Sequence, residues 1–293
     1  MIMLKELMKC IREYKKPSIL APVLVSLEVV MECTIPFLIA MLVNQIKAGA
    51  EFSVLVKYGL LLIVMATLSL MFGIGAGNAC ATASCGFAKN VRKDLYAKIQ
   101  EFSFENIDKF SSSSLVTRLT TDVTNVQNAY MMIVRIAVRC PLMFLFAFVM
   151  AFIMGGKMAC IFLLVVPVLG FGLYMVIRTA MPLFRKVFHK YDELNNSIQE
   201  NIKGMRVVKS YVREEFEKEK FDRAAGDVCE DFTKAEKIVA WNSPVLQFMM
   251  YAVVLLIALI GGRSIVFGTM ETGELTSVIV YAIQILMSLN MVT

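Results

Sequence analysis

Six apolar runs in series, at residues 18–43, 54–81, 134–154, 158–180, 239–260 and 275–293, constrain this chain more than any other feature. One helix needs about 17 to 25 mostly uncharged residues to cross a hydrocarbon layer about 30 Å thick, and every run reaches that length. The third opens with Arg135 and Arg139 and is free of charge only from Cys140 onward. A buried helix of a soluble protein imitates one such run, but not six. Composition agrees, since 58% of the 293 residues are hydrophobic and 18% charged, against about 25% charged in a typical globular domain. A disordered or nucleic-acid-coating protein is excluded despite the net charge of +6. The expected fold is an all-α membrane protein with six transmembrane helices.

Lys and Arg placement sets the expected orientation, because cytoplasmic loops keep positive charge. Of the 30 Lys and Arg, 26 lie in the leading segment, in 82–139 or in 178–237, and the other connections share Lys47, Lys57, Lys157 and Arg263. The N-terminus and the connections after spans two and four are therefore expected inside, in a multi-pass protein of the plasma membrane. Residues 1–16 read as a cytosolic segment and 17–293 as the membrane domain. The first apolar run is too long for a cleavable signal and has no small-residue cleavage site.

The two inner connections, about 82–133 and 181–238, read as helical hairpins. No proline occurs from residue 54 to 104, and Phe87, Val91, Leu95, Ile99 and Phe102 continue at helical spacing past the second run. At about 1.5 Å per residue these 51 residues reach about 77 Å, so more than half of the helix projects beyond the hydrocarbon. Phe184, Phe188, Tyr191, Leu194, Ile198, Ile202 and Met205 form a second such stripe. The first far turn is expected at 106–114, where Asp108, Lys109 and the serines Ser111, Ser112, Ser113 and Ser114 interrupt the pattern before Leu115. Serines there cap helices by accepting from free backbone N–H groups. Phe110 is expected to be exposed at the tip, as a partner surface. The second far turn is expected at 188–195, with Tyr191 and Leu194 presented among His189, Asp192 and Asn195.

Ionisable residues inside a membrane are costly and face a cavity or each other. Glu28 and Glu32 share a face of span one, and Arg135 and Arg139 repeat the spacing on span three. Two readings stand: the four line a substrate pathway and help hold a cationic or amphipathic cargo, or they form a structural ion-pair lattice between the two spans. Pro36, Pro141 and Pro167 fall within spans and kink them where a neighbour satisfies the freed carbonyl. Gly73, Gly75 and Gly77 read as close helix packing. The abundant Met and Phe read mainly as lipid-facing. The seven cysteines are irregularly spaced and read as small buried apolar residues, forming neither a disulfide framework nor a metal site. His189 stands alone, no catalytic constellation is evident, and the charged block 213–223 reads as a solvated helix face.

The stretches VRKDLYAKIQEFSFENIDKFSSSSLVTRLTTDVTNVQNAY (91–130) and YDELNNSIQENIKGMRVVKSYVREEFEKEKF (191–221) resemble the two intracellular loops of the transmembrane domain of multidrug-type ABC exporters. TRLTTDV and ENIKGMRVVKSY carry most of the likeness. GTMETGELTSVIVYAIQIL (268–286) is similar to the outer loop and the start of the sixth helix in the same family. The serine run stands where many members have a Gly-Glu pair and looks more like a branch that often works as heterodimers. The resemblance implies a second half-transporter as partner, homo- or heterodimeric, with helices four and five crossing to it. It also implies that short helices at about 108–115 and 184–195 dock on ATP-binding domains, which points to Asp108, Phe110, Ser111 to Ser114, Leu115, Phe188, Tyr191, Asp192 and Leu194 as coupling residues. No GxxxxGK(S/T) loop occurs, so neither a nucleotide site nor a catalytic site is expected in this chain. The expectation is a truncated chain whose continuation completes helix six and adds the ATP-binding domain, where ATP and Mg would bind in an ATP-hydrolysing translocase. A channel or membrane scaffold with intramembrane ion pairs is the alternative.

Overall fold

The computed structural model describes residues 7–103, 110 and 112–291. Every regular element among them is helical, and six helical stretches are long and apolar enough to cross a membrane. We number the helices α1 (Lys15–Lys47), α2 (Phe52–Gln100), α3 (Ser112–Thr117), α4 (Val123–Gly155), α5 (Cys160–Ser210), α6 (Glu214–Ala240), α7 (Asn242–Val266) and α8 (Thr272–Asn290). The contacts divide the chain into two units, residues 1–162 with 254–293, and residues 163–253.

In the first unit α1 packs against α2, α4 and α8. Its buried positions, Ala21, Val25, Glu28, Val29, Cys33, Pro36 and Ala40, recur at spacings of three and four. α2 answers with Ala76, Ala79, Cys80 and Ala83. Small residues on both helices allow close backbone approach, the main source of helix association where no water is present to be displaced. Gly73 and Gly75 belong to this packing: an added Cβ would stand 3.2 Å from Glu28 Oε1 and 3.2 Å from Leu24 Cδ1, whereas at Gly77 it would meet nothing within 4 Å. The other face of α2 presents Leu60, Ile63, Leu70 and Met71, a surface suited to lipid.

α2 runs unbroken for 49 residues, about 74 Å of helix, and so reaches far past its apolar run as its spacing predicts. The return limb of this hairpin starts with α3 and passes through a π turn, Arg118–Asp122, into α4. A π turn disturbs the regular bonding ladder and asks for outside partners. Arg92 of α2 supplies them, donating to the Leu119 carbonyl at 3.3 Å and the Thr124 hydroxyl at 3.1 Å. Near the start of the chain, Arg12 donates to both oxygens of Asp94 at 3.0 Å, and Asn90 donates to the Cys10 carbonyl.

In the second unit α5 and α6 form an antiparallel hairpin. Its turn is at 211–213, not at the expected 188–195, through which α5 runs as uninterrupted helix. The stripe that starts at Phe184 keeps its helical period through Met205, so there is no physical cause for a turn at 188. The chain reverses only at Val212, which adopts a left-handed φ of 52°, uncommon for a β-branched residue. Glu214, Glu215 and Glu217 then occupy the first turn of α6, where negative charge complements the helix dipole.

Asp231 of α6 joins the hairpin to Lys190 at 2.8 Å and Lys186 at 3.2 Å. Hydrogen bonds from Lys190 and then Lys186 hold its carboxyl below the usual carboxylate range. A lowered folded value means stability that is fully present above the unfolded value, about 3.9, and is lost as pH falls below it. Asp231→Asn should therefore accelerate hydrogen exchange along α6 at pH 7, with the difference from the unsubstituted chain shrinking below about pH 4. Equal exchange at pH 7, read by mass spectrometry, would refute this. The block 213–223 is a solvated face, with exposed pairs Lys218–Glu215 and Arg223–Glu219.

Candidate functional site

Three of the four expected intramembrane charges meet. Glu28 and Glu32 project from one face of α1 toward Arg139 of α4, which donates through Nη1 to Glu28 Oε1 at 2.7 Å and through Nη2 to both oxygens of Glu32 at 2.8 Å. The Glu28 side chain is 10% exposed, Glu32 26% and Arg139 24%, so the cluster is reached from the Glu32 side. Gly73 of α2 makes room for the Glu28 carboxylate, whose Oε2 is buried without a hydrogen-bond partner. Two carboxylates around one guanidinium leave a formal charge of −1. Arg135 does not join: it is exposed, one turn away on α4, and pairs with neither carboxylate. The position four residues from Arg139 shares its helix, but its side chain leaves the α1 face.

A ladder of polar contacts joins α8 to α1 beside this cluster. The Gly273 amide donates to Asn44 Oδ1 at 2.7 Å, the Ser277 hydroxyl to the Pro36 carbonyl at 2.8 Å, and the Tyr281 hydroxyl to the Cys33 carbonyl at 2.7 Å. Gln284 Nε2 lies 3.5 Å from the Glu32 carbonyl. Pro36 removes the amide that would bond that carbonyl within α1. α8 thus supplies the outside donor that a proline inside a span requires. Sequence reading missed Asn44, Ser277, Tyr281 and Gln284. The available signal was the spacing of four, four and three from Gly273 to Gln284, which places small and polar groups on one α8 face.

At the first hairpin tip, Asp108 and Ser111 lie outside the described residues. Ser112 begins α3, which also carries Ser113, Ser114 and a half-buried Leu115. Phe110 is half-buried rather than exposed, because its ring stacks on Phe102 at 6.0 Å and lies under Arg118 at 5.1 Å. At the second, Phe188, Tyr191, Asp192 and Leu194 stand within α5 about 30 Å of helix before its end. The residues actually presented at that turn are Tyr211, 75% exposed, and Val212, 81% exposed, followed by Phe216.

Cys33, Cys80 and Cys140 are buried as expected, but Cys85, Cys160 and Cys229 are exposed. Cys85 still accepts from Gln127 of α4 at 3.4 Å, and spacing alone does not reveal which helix face a cysteine occupies. Among the described residues no group of three His, Cys, Asp or Glu could hold a metal ion.

A family model described as "ABC transporter transmembrane region" matches residues 18–289. The uncharacterized ABC transporter ATP-binding protein YfiB of Bacillus subtilis is 32% identical over 281 residues, which cover 96% of this chain and 49% of that protein. An uncharacterized ABC transporter ATP-binding protein of Mycobacterium tuberculosis is 26% identical over 97% of this chain and 49% of its own length. An ATP-dependent lipid A-core flippase of Aromatoleum aromaticum is 27% identical over 68% of this chain and 34% of its own. The chain spans about half the length of the relatives it matches end to end.

Proposed function

Because this chain belongs to the family of ABC transporter transmembrane regions, we propose that it is the membrane-spanning part of an ATP-driven exporter that moves drugs, lipids or other amphipathic molecules out of the cytoplasm by alternating access. The observation that carries this reading is the match along residues 18–289 combined with relatives twice as long that bear the name ATP-binding protein. Energy would come from an ATP-binding domain holding ATP and Mg, and the working assembly would pair two membrane domains, alike or different, in the plasma membrane with the N-terminus in the cytoplasm. The flippase among the relatives favours a lipid-like cargo.

The helical hairpins supply the reach such coupling needs. At the second tip the contact moves from 188–194 to Tyr211, Val212 and Phe216, because apolar groups exposed at the end of a projecting hairpin call for a partner. At the first, Leu115 and the exposed Val116 take the place of the tucked Phe110. A cysteine at position 211 should crosslink to the ATP-binding domain, and Tyr211→Ser with Val212→Ser should lower transport about tenfold while leaving membrane insertion intact, a loss of about 1.4 kcal/mol of coupling. Transport in vesicles that persists at full rate would sink this docking role. ATP-dependent uptake of a lipophilic dye into inverted vesicles tests the whole reading. Its absence with an intact, ATP-hydrolysing assembly and a panel of lipid and drug cargoes would overturn export.

The Glu32 side of the charge cluster is the proposed point of contact with cationic or amphipathic cargo, with the exposed Arg135 one turn along α4. Glu28→Gln with Glu32→Gln separates the two roles. Slower transport of cationic cargo at normal yield supports cargo contact, whereas unchanged transport with lowered yield leaves only the structural ion pair.

A further inference from the structure

From the geometry around Pro36 we infer that Gln284 is a positioning residue. It acts as the latch of a hinge in α1 and, through Glu32, sets where the Arg139 cluster stands. The α1–α8 ladder is uniform over three contacts and long at the fourth. On the side of Pro36 toward the short connection 48–51, the contacts of Gly273 and Ser277 measure 2.7 and 2.8 Å, and Tyr281, bonded to the Cys33 carbonyl three residues before Pro36, holds at 2.7 Å. One turn further along α8 the contact of Gln284 with the Glu32 carbonyl has lengthened to 3.5 Å, near the limit for a hydrogen bond.

At the same end two buried acceptors, Gln284 Oε1 and Glu28 Oε2, have no hydrogen-bond partner. Such atoms are uncommon in native proteins, and each calls for an explanation. A firmly held pivot, a long bond beside it and orphaned acceptors around that bond describe a contact that opens at one end. Pro36 is where α1 bends when it does, since the helix lacks a bond there already. Glu32 carries both ends of the coupling: its carbonyl faces Gln284, and its carboxylate takes Arg139 Nη2. Movement of α8 at Gln284 therefore displaces Glu32 and, with it, the guanidinium that also holds Glu28. This inference adds a moving part to the proposed transport cycle, but the latch itself is testable without transport.

The test uses the full chain in lipid nanodiscs with Gln284→Leu, Pro36→Ala and the double variant. Leucine keeps the bulk and removes the donor, so Gln284→Leu should lower the thermal midpoint by about 3 °C. Alanine in place of Pro36 restores the missing backbone amide, so the double variant should recover at least half of that loss. A role for Gln284 in packing alone gives no recovery, and that result overturns the latch. Spin labels at Leu27→Cys and Met287→Cys, both at exposed positions, in a background free of other cysteines, read the hinge. Two distance populations are expected with Pro36 in place and one in the Pro36→Ala variant. A single population with Pro36, or identical distributions in the two proteins, overturns the hinge. Failure of ATP-driven transport in the unsubstituted assembly would count against the proposed export and leave both of these readouts standing.

Discussion

Arg139→Ala is expected to destabilise the membrane domain by about 3 kcal/mol, the lower end of what removing one partner of a buried ion pair costs. The guanidinium is the only donor to Glu28 Oε1 and to both Glu32 oxygens among the described residues. Without it two carboxylates one helical turn apart face each other in an apolar setting, and the Glu28 side chain, 10% exposed, has little access to water. Part of the cost is relieved because Glu32 is 26% exposed, which is why the lower bound applies. Arg139→Lys should fall between, since an ammonium is a point charge and does not fork to two carboxylates. The decisive comparison is Arg139→Ala combined with Glu28→Gln and Glu32→Gln, which removes the stranded charge and should regain most of the loss. The midpoint of thermal aggregation in detergent measures all four proteins. An Arg139→Ala protein as stable as the parent, or a triple variant no better than the single one, would show that the cluster does not hold α1 to α4.

The parts of this fold legible in the sequence are those set by one helix and its solvent. The six spans, the projection of α2 and the solvated face at 213–223 all follow from run length and period. What spacing cannot supply is which neighbour a face meets. Arg135 and Arg139 are equivalent by spacing, yet only Arg139 pairs with the α1 carboxylates, while Arg135 is exposed. Phe110 has the character of an exposed tip residue until Phe102 and Arg118 cover it. The second turn departs from expectation for a different reason. Polar residues at 189–195 look like a break, but the apolar stripe on the opposite side of the helix continues, and the chain reverses only where Val212 takes a left-handed conformation. Pro36 shows the intermediate case: the freed carbonyl is predictable from the proline alone, while its donor, Gln284, lies 252 positions from Glu32 and is found only from the packed helices.

Gly273→Ala should be as damaging as the loss of Arg139, although it adds one methyl group at the edge of the membrane. An added Cβ would press on the Ala40 carbonyl oxygen and stand 2.8 Å from its carbon and 2.5 Å from Asn44 Oδ1. Asn44 is a side chain and has some freedom to turn away, but the Ala40 carbonyl is helix backbone and does not. α8 must move off α1 instead, and the movement reaches the contacts that follow at Ser277 and Tyr281. Overpacking of this kind costs about 1 to 3 kcal/mol, and interhelical hydrogen bonds in membranes add about 0.6 kcal/mol each, so a total near 3 kcal/mol is expected for the alanine and more for valine. Gly262→Ala in α7 provides the control, because a Cβ there meets nothing within 4 Å and alanine favours helix. Adding Asn44→Ala to Gly273→Ala should relieve only a small part of the damage, since the backbone contact remains. If Gly273→Ala melts with the Gly262→Ala control, or if Asn44→Ala rescues it fully, the close approach of α8 to the α1 backbone is not what holds this end of the bundle. If the backbone contact is the cause, the valine and alanine variants should separate in the order of their bulk.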